Sequence, residues 1–318
     1  MNTSIVNILS KVEKIKYLKL LDESEFSTNF HSLKFLQIIE NIRPDLKLKF
    51  NIIYENSEIV AIMPFFQKKY FPLSLSSLPY GCYGGFLYKN KSKEKVVAFL
   101  KNYKYRLFTV IASYNDDIYE GESLNGIEYS TWIIKCNNSY NDFFTALHHK
   151  TRNQIRKAYK NGIVVKDIKT EEELNIVYDI YEDLILKHKI KKPYPKKLFI
   201  ELFDASLNSD EIFFKLAVLE GKVTAYSIFL NNKRTIFYWL NASDPELNKF
   251  NGTNAILDTI VKYAYSNKII EINLGAVPYG NDGLHHFKSR WKAEEFKYKS
   301  FFSKIYKMKR KVIEIFSK

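Results

Sequence analysis

Between Lys150 and Lys160 the chain reads KTRNQIRKAYK, with five cationic side chains, Lys150, Arg152, Arg156, Lys157 and Lys160, and no Asp or Glu among them. His149 stands just ahead. At about 100° per residue, taking Arg152 as zero, Arg156, His149 and Lys160 fall within about the next 80° of a helix circumference. Ile155, Ala158 and Tyr159 are expected to form an apolar stripe on the other side, which predicts a two-faced helix N-capped at Thr151 or earlier and ended by Gly162. Two readings of the cationic stripe are open: an ordinary solvated face, or a set of phosphate ligands. The lack of a neutralising acid favours the second, because guanidinium groups on a fixed scaffold match phosphate oxygens.

Other reactive residue types are sparse. Cys82 and Cys136 stand far apart, in neither C-x-x-C nor Cys/His spacing, so neither a disulfide framework nor a metal site is expected. They read as two buried thiols in a reducing compartment. No G-x-S-x-G turn and no Cys-His arrangement offers a covalent nucleophile. Asp282, His285 and His286 share one loop, but an adjacent His pair reads first as polar filling, and no general base is assigned.

The wider composition agrees with an anionic partner. The chain has 318 residues, 49 basic against 35 acidic, and a formal charge of +14, which draws it toward phosphates, nucleic acid or an anionic membrane surface. Hydrophobic residues at 46% are enough for one large domain or two modest ones and exclude a disordered or fibrous chain. The first residues, MNTSIVNILSKVEKIKYLKLL, lack a charged leader and break their apolar run at Lys11, so no secretory signal is expected. No run approaches the ~18 apolar residues of a membrane span. A cytoplasmic protein is expected.

Several elements must hold the cationic helix in place. Residues 30–42 carry apolar side chains at helical spacing, and residues 48–66 read as two β runs around a four-residue turn, Glu55-Asn56-Ser57-Glu58. The same order returns: a helix over 172–188, then strand, turn and strand over 214–230, with Glu220-Gly221-Lys222 at the turn. A strand over 234–243, a helix over 251–267 and a buried strand over 268–277 follow. Helix and hairpin recurring at about half the chain length predict two copies of one plan, with a mixed sheet and a crossover helix in the second. The tail reads as a strand followed by a short basic amphipathic helix near 307–318.

Three stretches, LPYGCYGG (78–85), KTRNQIRKAYKNGI (150–163) and NLGAVPYGNDGLHHFKSRW (273–291), resemble the FemABX-like family, the peptidoglycan-bridge aminoacyltransferases and their relatives in the GNAT-type acyltransferase superfamily. The resemblance implies an α+β, mixed α/β fold of two tandem GNAT-like lobes, each a mixed sheet flanked by helices, with a cleft between them. The expected lobes are residues 1–145 and 146–305, with residues 306–318 a basic C-terminal helix. The implied reaction is transfer of an acyl or aminoacyl group, by direct attack, onto an amine of a phosphorylated cell-envelope or glycan precursor.

The resemblance also implies roles for particular residues. Arg152 and Arg156 match the cationic helix that contributes to the substrate cleft and would hold a precursor's diphosphate. Lys288 matches the lysine placed near the reacting carbonyl, where an ammonium stabilises the oxyanion. Tyr83 and Tyr238, with Tyr80, would line the cleft. Gly252, Thr253 and Asn254 occupy the strand-to-helix junction where acetyltransferases keep a pyrophosphate loop, and the bland alternative there is a simple N-cap. Two departures stand out: Phe86 follows the double glycine where relatives often have Pro, and Lys292 follows Trp291 where a Gly is common.

The donor implied is aminoacyl-tRNA or acyl-CoA as co-substrate, with no permanently bound cofactor and no metal. The partners implied are a phosphorylated or lipid-linked precursor, with tRNA and a peripheral contact at the inner face of the membrane as further candidates. Two alternatives remain open, an acyl-CoA-dependent N-acetyltransferase acting on an amino sugar and a non-catalytic basic protein that binds nucleic acid or a membrane surface.

Overall fold

The computed structural model describes residues 1–80, 82–113, 118–119, 124–191, 193–277 and 281–308. The chain divides into two compact units, Met1–Tyr129 with Lys297–Lys318, and Ser130–Phe296. These limits fall earlier than the sequence boundaries at 145 and 305. The reason lies in strand pairing.

In the first unit, strands β1 (Asn2–Val6), β2 (Leu46–Glu55), β3 (Glu58–Lys68) and β4 (Phe71–Ser77) pair antiparallel in that order. The short β5 (Leu87–Tyr88) pairs with β3. β4 pairs in parallel with β6 (Phe108–Ser113). The crossover between them carries helix α3 (Lys93–Lys101), preceded in the unit by α1 (Lys11–Glu23) and α2 (Leu33–Ile42). The chain's last strand, β13 (Glu294–Ser303), pairs through Lys299–Phe302 with β6, which is why the end of the chain belongs to this unit. The core gathers Met63, Phe65, Tyr88, Leu100 and Phe301.

The second unit repeats the plan. β8 (Val164–Asp167), β9 (Ile212–Leu219), β10 (Lys222–Asn231) and β11 (Thr235–Ser243) pair antiparallel in order, and β11 pairs in parallel with β12 (Glu271–Ala276). Helix α8 (Gly252–Ser266) makes the crossover. Strand β7 (Leu124–Lys135) pairs through Thr131–Lys135 with β12, so its second half belongs here. Helices α4 (Tyr140–Ala146), α5 (His149–Lys160), α6 (Glu171–His188), α7 (Lys196–Leu207) and α9 (Asp282–Arg290) complete the unit. The core includes Trp132, Ile155, Ala158, Phe229, Tyr238 and Trp291.

The duplicated hairpins use the same device. Glu55 pairs with Glu58, so the first connection is two residues, Asn56 and Ser57 at φ 47° and 66°, rather than the four-residue turn expected. Leu219 pairs with Lys222 around Glu220 and Gly221, at φ 49° and 79°. Positive φ at both central residues gives a turn whose twist matches the flanking strands.

The tail follows the expected strand with helical residues 304–308, and the rest of the expected basic helix, from residue 309, lies outside the described residues. Among the described residues no helix is long and apolar enough to cross a membrane.

Candidate functional site

Helix α9 carries Lys288 and is hydrogen-bonded to the starts of α5 and α8. Lys288 sits on this helix, in its last turn. Leu284, Phe287, Lys288 and Trp291 stand at helical spacing, and Asn281 caps the start by accepting from the Leu284 N–H at 3.0 Å. Asp282 falls in the first turn, and His285 stacks edge-on against Trp132 with centroids 4.8 Å apart.

Lys288 is only 4% exposed. Its Nζ donates to the carbonyls of Gly275 at 2.9 Å and Ala276 at 2.8 Å. Those carbonyls belong to an irregular end of β12, whose register against β7 shifts between Asn273 and Ala276. Asn273 fixes the irregularity: its Oδ1 accepts from Thr131 Oγ1 and from the Gly275 N–H, both at 2.7 Å, and Gly275 adopts φ 77°. Burial lowers the Lys288 pKa to about 8, because removing an ammonium from water penalises its charged form. The group is therefore mostly charged at neutral pH and close to its titration point.

The bulge lies where two strands part. β11 and β12 pair only from Thr235/Glu271 to Phe237/Asn273, while β11 continues to Ser243 against β10. A parallel pair that separates leaves strand-edge N–H and C=O groups able to hold an extended ligand.

Helix α9 is tied to both other expected site elements. The Arg290 carbonyl accepts from the His148 N–H at 3.4 Å and from Thr151 Oγ1 at 3.5 Å, at the start of α5. Trp291 Nε1 donates to Asn254 Oδ1 at 3.2 Å, at the start of α8. Asn254 is thus engaged in holding α9. Gly252 is required by close approach, since a Cβ there would lie 2.4 Å from Thr224 Oγ1 and 2.9 Å from Ala217 Cβ. Thr253 is half-buried in the first turn. Asn251 precedes the helix at φ 61°, its Nδ2 donating to the Lys249 carbonyl at 3.2 Å instead of its side chain capping the first turn.

Helix α5 forms as expected, with His148 as N-cap accepting from the Lys150 N–H at 3.2 Å and Gly162 at φ 88° after its end. Its two arginines have different jobs. Arg152 Nη1 donates to the carbonyls of Thr145 and Leu147, terminating α4. Arg156 is exposed, its guanidinium 5.5 Å from the Phe144 ring centroid. Tyr159 does not join the buried stripe: at about 100° per residue it falls ~20° from Arg152, and it is 39% exposed.

The Tyr159 hydroxyl reaches a group that sequence reasoning missed. Asp258, fully buried on α8, accepts from Tyr140 Oη at 2.5 Å, from Tyr159 Oη at 2.7 Å and from Lys262 Nζ at 2.7 Å. One carboxylate thereby binds α4, α5 and α8. Burial, then hydrogen bonding to Asp258, raises the Tyr140 pKa, while burial and then the charge of Asp258 raise that of Tyr159. The available signal was a single acid inside the apolar run AILDTIVKYAY, four residues before a lysine.

Of the tyrosines expected to line a substrate site, Tyr238 and Tyr83 pack into cores instead, and Tyr80 is half-buried. Tyr238, 5% exposed, stacks on Phe229 with centroids 4.8 Å apart and accepts from Ser227 Oγ at 3.3 Å. Tyr83, in the first unit and 3% exposed, meets Tyr298 edge-on at 4.9 Å. Tyr80 lies under the Arg43 guanidinium, 5.6 Å from its ring centroid. Among the described residues no cluster of His, Cys, Asp or Glu could hold a metal ion.

Residues 146–297 match the family described as acetyltransferase (GNAT) domain. No curated protein sequence matches the chain. Among solved structures, FemX is similar over 94% of this chain and 97% of its own, at 12% identity and a TM-score of 0.71. The C-terminal domain of a putative lysylphosphatidylglycerol synthetase from Agrobacterium fabrum covers 92% of each chain at 9% identity, TM-score 0.55. A tandem GNAT protein from the clavulanic acid biosynthesis pathway covers 95% of this chain and 98% of its own at 9% identity, TM-score 0.50. Residues 146–297 therefore form a GNAT-type acyltransferase domain, in a chain that has the FemX fold.

Proposed function

We propose that this acyltransferase delivers an acyl or aminoacyl group to an amine of a phosphorylated cell-envelope or glycan precursor. The observation that carries the reading is the parting of β11 and β12 beside a buried ammonium, Lys288. An extended activated donor paired along the open strand edge would bring its carbonyl toward the bulge. The acceptor amine attacks that carbonyl, a C–N bond forms, and the C–S bond of a thioester or the C–O bond of an ester breaks. The amine's proton leaves to water or to the departing sulfur or oxygen. An ammonium has three donors, and Lys288 uses two on Gly275 and Ala276, leaving one for the oxyanion.

Direct attack is supported by the state of the thiols. Burial raises Cys82 well above the ordinary thiol range and, with the Glu271 charge, pushes Cys136 up to about 12, so both are protonated and poor nucleophiles at neutral pH. For the precursor's phosphate, Arg156 on the exposed row of α5 is the better ligand, with Lys160 one turn further on. Arg152 supports that row by fixing α4.

The donor is an acyl-CoA or an aminoacyl-tRNA. The start of α8 favours a phosphate-bearing donor, because its first-turn N–H groups are not met by the Asn251 side chain. Mass spectrometry of a diphosphate-linked amino precursor, incubated with the protein and separately with acyl-CoA or aminoacyl-tRNA, tests the reading. Addition of one acyl or aminoacyl mass to the precursor is expected with one donor. An unmodified precursor with both would refute the proposal.

A further inference from the structure

Helix α1 carries apolar residues on both of its faces. Tyr17 and Leu20 are buried, and Tyr17 packs edge-on against Phe50 at 5.5 Å. A helix docked on one side ordinarily turns polar residues to water on the other. Here Ile8, just before the helix, is 84% exposed, Val12 73%, Ile15 61% and Leu18 44%. At about 100° per residue Val12, Ile15 and Leu18 span ~120° centred opposite the buried side.

The residues between them identify what covers this face. Lys11, Lys14 and Lys19 are exposed and interleave with the aliphatic side chains. Glu13 accepts from Ser10 N–H and Tyr54 Oη, and Glu23 pairs with Lys89 at 2.6 Å and with Lys19 at 4.0 Å, which leaves the exposed Asp22 set against the three lysines of this face. Lysine is depleted in the desolvated centre of protein interfaces. At a lipid surface the same pattern is favourable, because aliphatic tips enter the acyl boundary while lysine stems follow the apolar surface and hold their ammonium groups at the headgroups.

The geometry points to α1 as a docking face for an anionic membrane surface, with Ile8, Val12, Ile15 and Leu18 entering the bilayer boundary and Lys11, Lys14 and Lys19 meeting anionic headgroups. The face lies in the first unit, and its binding is independent of the donor and acceptor proposed above. A chain inactive in transfer would still bind. An enzyme that works on a lipid-linked acceptor would gain local concentration from it.

Co-sedimentation of the full chain with vesicles of phosphatidylcholine alone, or mixed with phosphatidylglycerol, reads this directly. Binding is expected to the mixed vesicles, weakened by salt. The exposed pairs Val12→Gln with Ile15→Gln, and Lys11→Gln with Lys14→Gln, are each expected to weaken it roughly tenfold or more. Unchanged thermal unfolding verifies that each variant is folded. Absence of binding, equal binding to neutral vesicles, or variants that bind as the parent does would each overturn the proposal. So would a dimer in ultracentrifugation that dissociates in Val12→Gln with Ile15→Gln while neither protein binds vesicles, since the face would then join two copies of the chain.

Discussion

Lys288 should make activity and stability respond to pH in opposite directions. Its pKa of about 8, lowered by burial from the ordinary 10.5, means the ammonium is about nine-tenths populated at pH 7 and about one-tenth at pH 9. If that charge stabilises the oxyanion, its contribution to the rate falls roughly tenfold across this interval. The acceptor amine titrates in the same range, so the quantity to measure is the ratio of kcat/KM for the parent to that for Lys288→Met at each pH. The ratio should be on the order of 10² at pH 7, the usual effect of removing one oxyanion donor, and fall about tenfold by pH 9. Stability should move the other way. A lysine whose folded pKa is depressed destabilises the charged native form below about pH 8, and this penalty is relieved as pH rises toward the unfolded pKa. Between pH 8 and pH 10 the gain is roughly 2 kcal/mol, before buried tyrosines such as Tyr17 and Tyr226, with raised folded pKa values, begin to favour unfolding. Urea unfolding at several pH values reads the gain, and Lys288→Met should lack it. A kinetic ratio that is flat would show that the ammonium takes no part in the rate. A ratio rising with pH would make Lys288 a base and reverse its role.

Other substitutions separate the site's supports from its ligands. Asp258→Asn removes the charge that accepts from Tyr140, Tyr159 and Lys262, and the two bonds from the tyrosine hydroxyls, at ~1.5–3 kcal/mol each, predict a loss of about 3 kcal/mol in urea unfolding; a change below ~0.5 kcal/mol would contradict the network. Lys292 stands at φ 59° after α9, where the Ala293 N–H bonds the Lys288 carbonyl and the Lys292 N–H bonds that of Ser289, so Lys292→Gly should stabilise by about 0.5–1 kcal/mol; a lowered Tm would refute this. Arg156→Gln should raise KM for a diphosphate-linked acceptor about tenfold or more with little change in stability, whereas Arg152→Gln should cost ~1–2 kcal/mol of stability through α4. Equal effects of the two on KM would return Arg152 to the ligand set.

Much of the fold is legible because its signals are local. Alternating β runs flank turn residues at 55–58 and 219–222, and the helix over 252–266 sits between two β-rich segments, so the duplicated hairpin and crossover are written in periodicity. β1 and α1 are not legible in the same way, because α1 spreads Val12, Ile15, Tyr17, Leu18 and Leu20 around its circumference and shows no single apolar stripe. The limits of the units also escape local reading, since the pairing of β13 with β6 links residues nearly two hundred positions apart.

The candidate site is legible in residue type more than in geometry. Lys288 and the α5 arginines could be singled out, but only tertiary structure gives Lys288 to the Gly275 and Ala276 carbonyls and Arg152 to the end of α4. Tyr83 and Tyr238 illustrate the limit: a tyrosine next to a glycine-rich or strand segment looks the same in sequence whether its ring meets a ligand or, as here, Tyr298 and Phe229. Asp258 was hidden because its partners Tyr140 and Tyr159, on the neighbouring helices α4 and α5, lie 118 and 99 residues before it in the chain.

The most direct test of the central claim is the mass of the acceptor and of the protein after one reaction. A diphosphate-linked amino precursor is incubated with acyl-CoA or aminoacyl-tRNA and either the parent or Lys288→Met, and both precursor and protein are weighed by mass spectrometry. The account predicts one acyl or aminoacyl mass on the precursor, strongly reduced formation with Lys288→Met, and no acyl group on the protein. A precursor left unmodified with both donors, or an acylated protein that passes its group on, would contradict it.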